Sequence, residues 1–154
     1  MKTANQKLLI EQLDRKLIPF KDLEAIVIPP KGWINTTRTA LKMSLRQLGN
    51  RLNISPQSVK ELENRESNGS LTIKSLKEAG LALNLKLVYG FVPMDGSIEK
   101  IIENRAFELA REIVARTSQS MKLENQENKE ERLKKAIEIK AREIIDKMPK
   151  ILWD

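Results

Sequence analysis

Apolar residues recur at helical spacing along most of this chain. Leu9, Leu13 and Leu17 lie four residues apart, which predicts an amphipathic helix over residues 2–17. From Ser97 onward the signal is helical almost throughout, in two stripes separated by a polar stretch at 124–131. The stripes consist of Ile98, Ile101, Ile102, Leu109 and Ile113, then Leu133, Ile137, Ala141, Ile144, Ile145 and Met148. They are expected either to pack on each other as a hairpin or to be buried on a partner protein.

Two short helices joined by a tight turn are predicted in the middle of the chain. Ser44 and Gln47 have the spacing of a capping box, which begins a helix over 45–52. Asn53 tolerates the left-handed conformation that ends a helix sharply. Ser55 and Pro56 then suit the N-cap and first position of a second helix, over 56–63.

The second of these helices has one narrow apolar stripe. Val59 and Leu62 face inward, three residues apart. The outer face carries amide and charged side chains and one proline: Pro56, Gln57, Lys60, Glu61 and Asn64. A short helix of this kind suits the major groove of DNA. The same pattern also fits an ordinary two-helix corner in a small helical domain.

Residues from about Trp33 to Leu83 resemble the Cro and phage-repressor (XRE-like) helix-turn-helix family. The resemblance lies in the order of features: an N-cap, a small residue, an Asn at the turn and Ile54 filling the corner, followed by Gln-Ser-Val and Leu-Glu-Asn. The resemblance implies a mainly α fold with a five-helix DNA-binding domain. It places a first helix at 34–43 and a closing helix at 72–83.

By this resemblance, Gln57 reads a base edge, where its amide suits adenine, and Glu61 accepts from cytosine. Ser58 contacts the DNA backbone or a base. Asn64 and Arg65 match phosphate-contacting positions. We also expect Lys60 to contact phosphate.

Two positions depart from the family pattern. Pro56 stands where a base-reading Gln is common, so one base contact is missing. Leu45 replaces a phosphate-binding Gln, so Arg46 or Gln47 must supply that contact.

Arg38 and Glu63 match a structural ion pair of the family. We expect this pair to orient the second helix rather than to read DNA.

Charge and composition agree with a nucleic-acid partner. The 154 residues have a formal net charge of +7, and residues 33–93 contain nine Lys and Arg against four Glu. The chain has no Cys, so a disulfide, a thiolate zinc site and a cysteine nucleophile are excluded, and no His, the commonest general base and metal ligand. Its six glycines are scattered, so no glycine-rich phosphate loop is present. A hydrolase that uses carboxylates alone is the remaining enzyme class, and nothing in the sequence supports it. We therefore expect no enzyme activity, no cofactor and no metal. The short apolar runs predict no membrane span or signal peptide, which favours a cytoplasmic protein.

Residues 85–92, Leu-Lys-Leu-Val-Tyr-Gly-Phe-Val, alternate in the manner of a strand. A single strand needs a partner, since its backbone groups require a ladder. The candidates are Ala25–Ile28 and the same strand of a second copy. We favour the second copy, since a homodimer suits paired operator half-sites.

A short motif follows the first tail stripe. Ser120 and Glu124 are four residues apart and share a helix face, and Asn125 can end the helix. Glu124 would then lie in the last turn, at the negative end of the helix dipole. A carboxylate is unfavourable there unless it pairs with a cation. The arrangement is similar to the Ser/Thr-x-x-x-Glu-Gly/Asn inhibitory motif of Fic-domain adenylyl transferases. That likeness implies that Glu124 pairs with a Fic arginine that would otherwise hold the ATP γ-phosphate.

The whole chain resembles the mobile mystery protein A family, through Pro-Pro-Lys-Gly-Trp33, Met-Ser-Leu-Arg-Gln-Leu48, Leu-Val-Tyr89, Val-Pro93 and Leu-Trp-Asp154. Members are typically encoded beside a Fic-domain protein. The resemblance implies an antitoxin-like regulator with three segments, namely an N-terminal helix and linker at 1–32, the DNA-binding domain with its trailing strand at 33–93, and a partner-binding helical tail at 94–154. A stand-alone repressor with an oligomerising tail is the alternative.

Overall fold

The computed structural model of the chain describes residues 4–118 and 129–154. Within them it contains the α-helices α1 (Ala4–Leu17), α2 (Trp33–Ala40), α3 (Leu45–Leu52), α4 (Pro56–Ser67), α5 (Ile73–Ala82), α6 (Ile98–Ser118) and α7 (Lys129–Lys147). Short 3-10 helices follow α1 at Ile18–Ala25 and α7 at Lys150–Trp153. The expectation of a mainly α protein is confirmed.

The chain divides into two compact units, which are described separately. One is Ala25–Gly90, and the other combines the described parts of Met1–Glu24 and Phe91–Asp154. The sequence predicts the N-terminal helix and the C-terminal tail as separate segments. In the structure α1 packs on α6, so the two segments belong to one unit.

The unit Ala25–Gly90 contains α2 to α5, four helices where the family resemblance implies five. Its core consists of Ile34, Leu48, Val59, Ala79 and Leu83. These residues come from all four helices and the end of α5, so burying them holds the helices together.

Local sequence determines where α3 begins and ends. The Ser44 hydroxyl accepts a hydrogen bond from the Gln47 amide, and the Gln47 side chain accepts one from the Ser44 amide, which completes the capping box. Asn53 ends the helix in the left-handed region at φ 56°. Gly49 allows the close turn, since a Cβ there would lie 2.6 Å from the Ile54 carbonyl oxygen.

Helix α4 begins as expected, with Ser55 as N-cap and Pro56 in the first turn. It continues to Ser67, four residues beyond the predicted end at Glu63. The reason is local, because the chain has no proline or glycine between Pro56 and Gly69 to stop the helix.

In the other unit, α6 and α7 pack against each other and α1 packs on α6. The buried residues are Ile10, Ile102, Ala106, Leu109, Ala110, Ala141, Ile144 and Leu152. The tail stripes are therefore buried within the unit, as in the hairpin alternative.

Helix α1 presents a different face from the one that its sequence predicts. Leu9 and Leu13 are exposed, and Ile10 is the buried residue. The reason is Asp14, whose carboxylate accepts hydrogen bonds from the amides of Ile98 (2.7 Å) and Glu99 (3.3 Å) at the start of α6. This contact turns Ile10 and Asp14 together toward α6.

The predicted strand at 85–92 is not confirmed, and neither is the short strand at Ala25–Ile28. Neither stretch is in a strand, and no strand occurs anywhere in the described residues. The physical reason is that the two stretches do not form a ladder with each other, and a strand without a ladder partner is unstable.

Among the residues that the structure describes, no helix has both the length and the apolar character needed to cross a membrane.

Asp14→Ala should lower the stability of the α1–α6 unit by about 1 kcal/mol, since two amides at the N-terminus of α6 lose their acceptor. Thermal unfolding of the full chain, followed by circular dichroism, measures the effect. Glu11→Ala is the matched control, because Glu11 is an exposed carboxylate one turn earlier in α1. Equal melting temperatures for the two variants would contradict the capping role of Asp14.

Candidate nucleic-acid interface

Helix α4 has one buried side and one polar, exposed side. Val59 and Glu63 are buried, and Leu62 is half-buried. The exposed side presents Gln57, Lys60, Glu61, Asn64 and Arg65, the predicted DNA-contacting residues of this helix. The structure therefore brings these five side chains together on one face of α4.

A buried carboxylate fixes the direction of that face. Only 4% of the Glu63 surface is exposed. Its side chain accepts hydrogen bonds from Arg38 Nε (2.5 Å), Arg38 Nη2 (3.2 Å) and Asn35 Nδ2 (2.7 Å), so two residues of α2 bind one residue of α4. The ion pair expected between Arg38 and Glu63 is present.

Arg38 is also held from a second direction. Its Nη1 donates to the carbonyl oxygen of Met43, in the turn before α3, at 2.8 Å. The hydrogen bond with Glu63 raises the pKa of Arg38, so the guanidinium stays charged. One side chain thus connects α2, α4 and the entry to α3.

A second carboxylate of α4 caps α2. Glu66 accepts hydrogen bonds from the amides of Trp33 (2.7 Å) and Ile34 (2.8 Å). A negative charge is favourable at this positive end of the helix dipole. Gly32 is required beside it, because its φ is +84° and a Cβ would lie 2.7 Å from Glu66 Cδ.

The remaining predicted contacts lie at the starts of the helices. Arg46 and Gln47 are exposed in the first turn of α3. Gln47 Oε1 accepts from the Ser44 amide at 2.8 Å, which makes it part of the cap. Ser58 is half-buried, and its amide and hydroxyl both bond the Ser55 hydroxyl, at 3.0 and 2.8 Å.

Glu61 and Arg65 form an exposed ion pair, with 3.9 Å between Oε1 and Nη2. Such a pair contributes little to stability in water. The pair does place the carboxylate of Glu61 beside the guanidinium of Arg65 on the exposed face of α4.

The contacts of Asn35 with Glu63, and of Glu66 with the first amides of α2, were not predicted from the sequence. The residues near each of them in the sequence do not indicate a partner about 30 positions away. Also not predicted was an open groove beside α3, which is lined by Leu41, Lys42, Met43, Gln47, Asn50 and Arg51. Arg51 donates to the Ala82 carbonyl oxygen at 3.1 Å, at the end of α5. The sequence does contain a pattern that indicates this groove, because amide and cationic side chains are concentrated between residues 42 and 51.

The charge of the unit Ala25–Gly90 favours an anionic partner. It contains ten Lys and Arg and four Glu, a net +6 out of the +7 of the chain. Two of those four carboxylates, Glu63 and Glu66, accept hydrogen bonds inside the unit. The charge that faces solvent is therefore mostly positive, which attracts phosphates.

The predicted toxin-inhibitory residues Ser120, Glu124 and Asn125 lie outside the described residues. The apolar stripe of Ile102, Leu109, Ile113 and Met121 was expected to carry most of the contact with the Fic partner. In the structure Ile102 and Leu109 are buried and Ile113 is half-buried, while Met121 lies outside the described residues. Ile102 and Leu109 are 3% and 5% exposed in the core with α7, so they present no surface to another protein.

Arg38→Ala should lower the free energy of unfolding by about 3–5 kcal/mol, because it leaves the buried Glu63 carboxylate without its cation. Chemical denaturation of the full chain measures the loss. Arg65→Ala is the matched control, since Arg65 has an exposed partner and should change stability little. If Arg38→Ala kept full stability but lost DNA binding, Arg38 would be a phosphate contact.

Comparison of the chain with protein-family models, with curated proteins and with solved structures finds no match. The function proposed below therefore depends on the geometry and charge of this chain and on the sequence motifs described above.

Proposed function

We propose that this protein is a sequence-specific DNA-binding regulator of the Cro and phage-repressor helix-turn-helix type, with α4 as the recognition helix. The observation that carries the proposal is the orientation of α4. Its apolar side is buried on α3, Glu63 ties it to α2, and its exposed side carries amides and charges. An exposed helix with this composition, on a unit of net charge +6, fits the major groove.

In this proposal the contacts divide by chemistry. Gln57 and Glu61 read adenine and cytosine, while Arg46, Lys60 and Arg65 neutralise phosphates. Gln47, Ser58 and Asn64 add polar contacts at the edges. For Gln47 the donor is the side-chain amide, since its oxygen is used in the cap of α3.

Gln57→Ala should weaken operator binding by about 1–3 kcal/mol and relax the preference at one base pair. Arg65→Ala should instead weaken binding to all sequences alike and flatten the salt dependence, because it removes one phosphate contact. Gel-shift titrations of operator and scrambled DNA at several salt concentrations separate the two patterns. Unchanged affinity and preference in Gln57→Ala would show that α4 does not dock through this face.

We further propose that the protein is antitoxin-like. It would repress its own operon and would also bind and inhibit a Fic-domain adenylyl transferase encoded nearby. Support comes from the sequence, through the spacing of Ser120, Glu124 and Asn125 and the whole-chain resemblance to the mobile mystery protein A family. Because Ile102 and Leu109 are buried, the Fic protein must bind exposed surface instead of the apolar stripe.

A stand-alone repressor is the second candidate. The observation in its favour is that α6 and α7 bury their stripes against each other and α1, so this unit has a core without a partner. The same burial means that oligomerisation through the tail, if it occurs, also uses exposed residues.

Glu124→Gly should still co-purify with the Fic protein but release its adenylyl transfer, because the carboxylate that blocks the arginine of the ATP site is gone. Radiolabel transfer from ATP, measured on the wild-type and variant complexes side by side, gives the readout. Glu127→Gly is the control, since it removes a nearby carboxylate outside the motif. Full inhibition by Glu124→Gly would show that the motif match is fortuitous, and no co-purification of the wild-type chain would favour the stand-alone repressor.

A further inference from the structure

The open groove beside α3 has the composition of an anion site. Its volume is about 460 Å³, within the size range of pockets that hold small molecules. Two cations, Lys42 and Arg51, line it together with the amide side chains of Gln47 and Asn50. Among the described residues that line it there is no carboxylate. The lining therefore combines two positive charges with several N–H donors, which suits a negatively charged ligand.

The donors on α3 are held in place by the fold. Arg51 Nη1 donates to the Ala82 carbonyl oxygen at 3.1 Å, which fixes the guanidinium while using one of its five N–H donors. Gln47 uses its side-chain oxygen in the cap of α3, so its NH₂ group can donate to a ligand. The two residues are four apart in α3 and share one face of the helix.

The turn that carries Lys42 is fixed at several points. Lys42 lies in the left-handed region at φ 53°, which is uncommon for a residue of this type. The Lys42 amide donates to the Thr39 carbonyl oxygen and the Met43 amide to the Arg38 carbonyl oxygen, both at 3.0 Å. Arg38 Nη1 donates in turn to the Met43 carbonyl oxygen. Backbone strain that the surroundings hold in this way is concentrated at ligand sites.

The groove also has an apolar side. Leu41 and Met43 line it next to the polar groups, Leu41 exposed and Met43 half-buried. A methionine side chain is flexible and makes favourable contacts with aromatic rings. The ligand that matches the whole lining therefore has an anionic head and a compact apolar or aromatic body.

We propose that this groove binds a small phosphate monoester with an apolar or aromatic body. A phosphate monoester is close to a dianion at neutral pH, which matches the charges of Lys42 and Arg51. Its three terminal oxygens can accept from both cations and from the two amides, and hydrogen bonds between charged groups are the strong ones. A carboxylate has one charge and two oxygens, so it would match this donor set less well.

Occupancy of the groove should weaken DNA binding. This part rests on the proposed function, in which the Gln47 NH₂ group contacts DNA and the neighbouring Arg46 neutralises a phosphate. A phosphate monoester in the groove takes the Gln47 donor and adds negative charge beside Arg46. Ligand and DNA then oppose each other, and by thermodynamic linkage each lowers the affinity of the other by the same factor. The protein is in that case a repressor that a small organic phosphate releases from its operator.

The first test is calorimetric titration of the full-length chain with phenyl phosphate, without DNA. We expect saturable binding, weaker binding of inorganic phosphate because it lacks the ring, and none of phenol because it lacks the charge. Lys42→Gln and Arg51→Gln should each weaken the binding of phenyl phosphate about tenfold or more, as expected for the loss of a charged hydrogen bond. Lys77→Gln is the matched control, because it removes an exposed cation of α5 that does not line the groove.

The other outcomes of this titration overturn the proposal. Without saturable binding there is no site, and an equal loss in Lys77→Gln and the groove variants indicates attraction to positive charge in general. Equal affinity for phenyl phosphate and inorganic phosphate removes the apolar part of the site. Amide NMR shifts of the wild-type chain locate the ligand without any variant. The largest shifts should fall at Lys42, Met43 and Arg51, and largest shifts elsewhere overturn the assignment to this groove.

The second test adds phenyl phosphate to operator gel shifts at constant ionic strength, since salt alone weakens DNA binding. Operator affinity of the wild type should fall about fivefold or more, a usual size for coupling between two sites. Lys42→Gln should be insensitive to phenyl phosphate. Unchanged wild-type affinity at saturation overturns the link to DNA binding. If the wild type binds no DNA at all, the proposed function fails, while the titration without DNA still decides whether the groove binds the ligand.

Discussion

The carboxylate of Glu63 is the contact on which the candidate interface depends. Removing a charged group from water is costly unless hydrogen bonds replace its hydration. Here three donors from α2 do so, two from Arg38 and one from Asn35. Because the carboxylate belongs to α4 and its donors to α2, satisfying the buried charge also fixes the rotation of α4. The exposed position of Gln57 and Glu61 follows from that rotation.

Glu66 adds a second tie between the same two helices, at the N-terminus of α2. Both ties use acidic residues on the side of α4 that faces α2, where Glu63 is buried and Glu66 is half-buried. Both carboxylates therefore lie on the side of the helix away from Gln57. The unit thereby combines internal stability with a positive exterior. Under the proposed function, stability and DNA affinity would therefore be separable, since stability depends on Arg38 and DNA affinity would depend on exposed residues such as Lys60 and Arg65.

The helical unit changes what is expected of a partner complex. Ile102 and Leu109 belong to a core shared by α1, α6 and α7, so a protein partner must recognise exposed residues. Asp14 takes part in forming this unit, because it joins α1 to the start of α6 across 84 positions of sequence.

Local signals in the sequence determined the helices and turns of the central pair: the capping box at Ser44, the left-handed Asn53 and the Ser55 cap each depend on neighbours within a few residues. The Arg38–Glu63 pair came from the family resemblance. Tertiary structure alone decided the contacts of Asn35 and Glu66, the buried face of α1, and whether residues 85–92 form a strand. Each of these depends on a partner distant in sequence. The apolar stripe of α1 did not predict Ile10, because the hydrogen bonds that the first amides of α6 donate to Asp14 set the rotation of α1. The alternation at 85–92 signals a capacity to form a strand, but only a ladder partner can turn it into one.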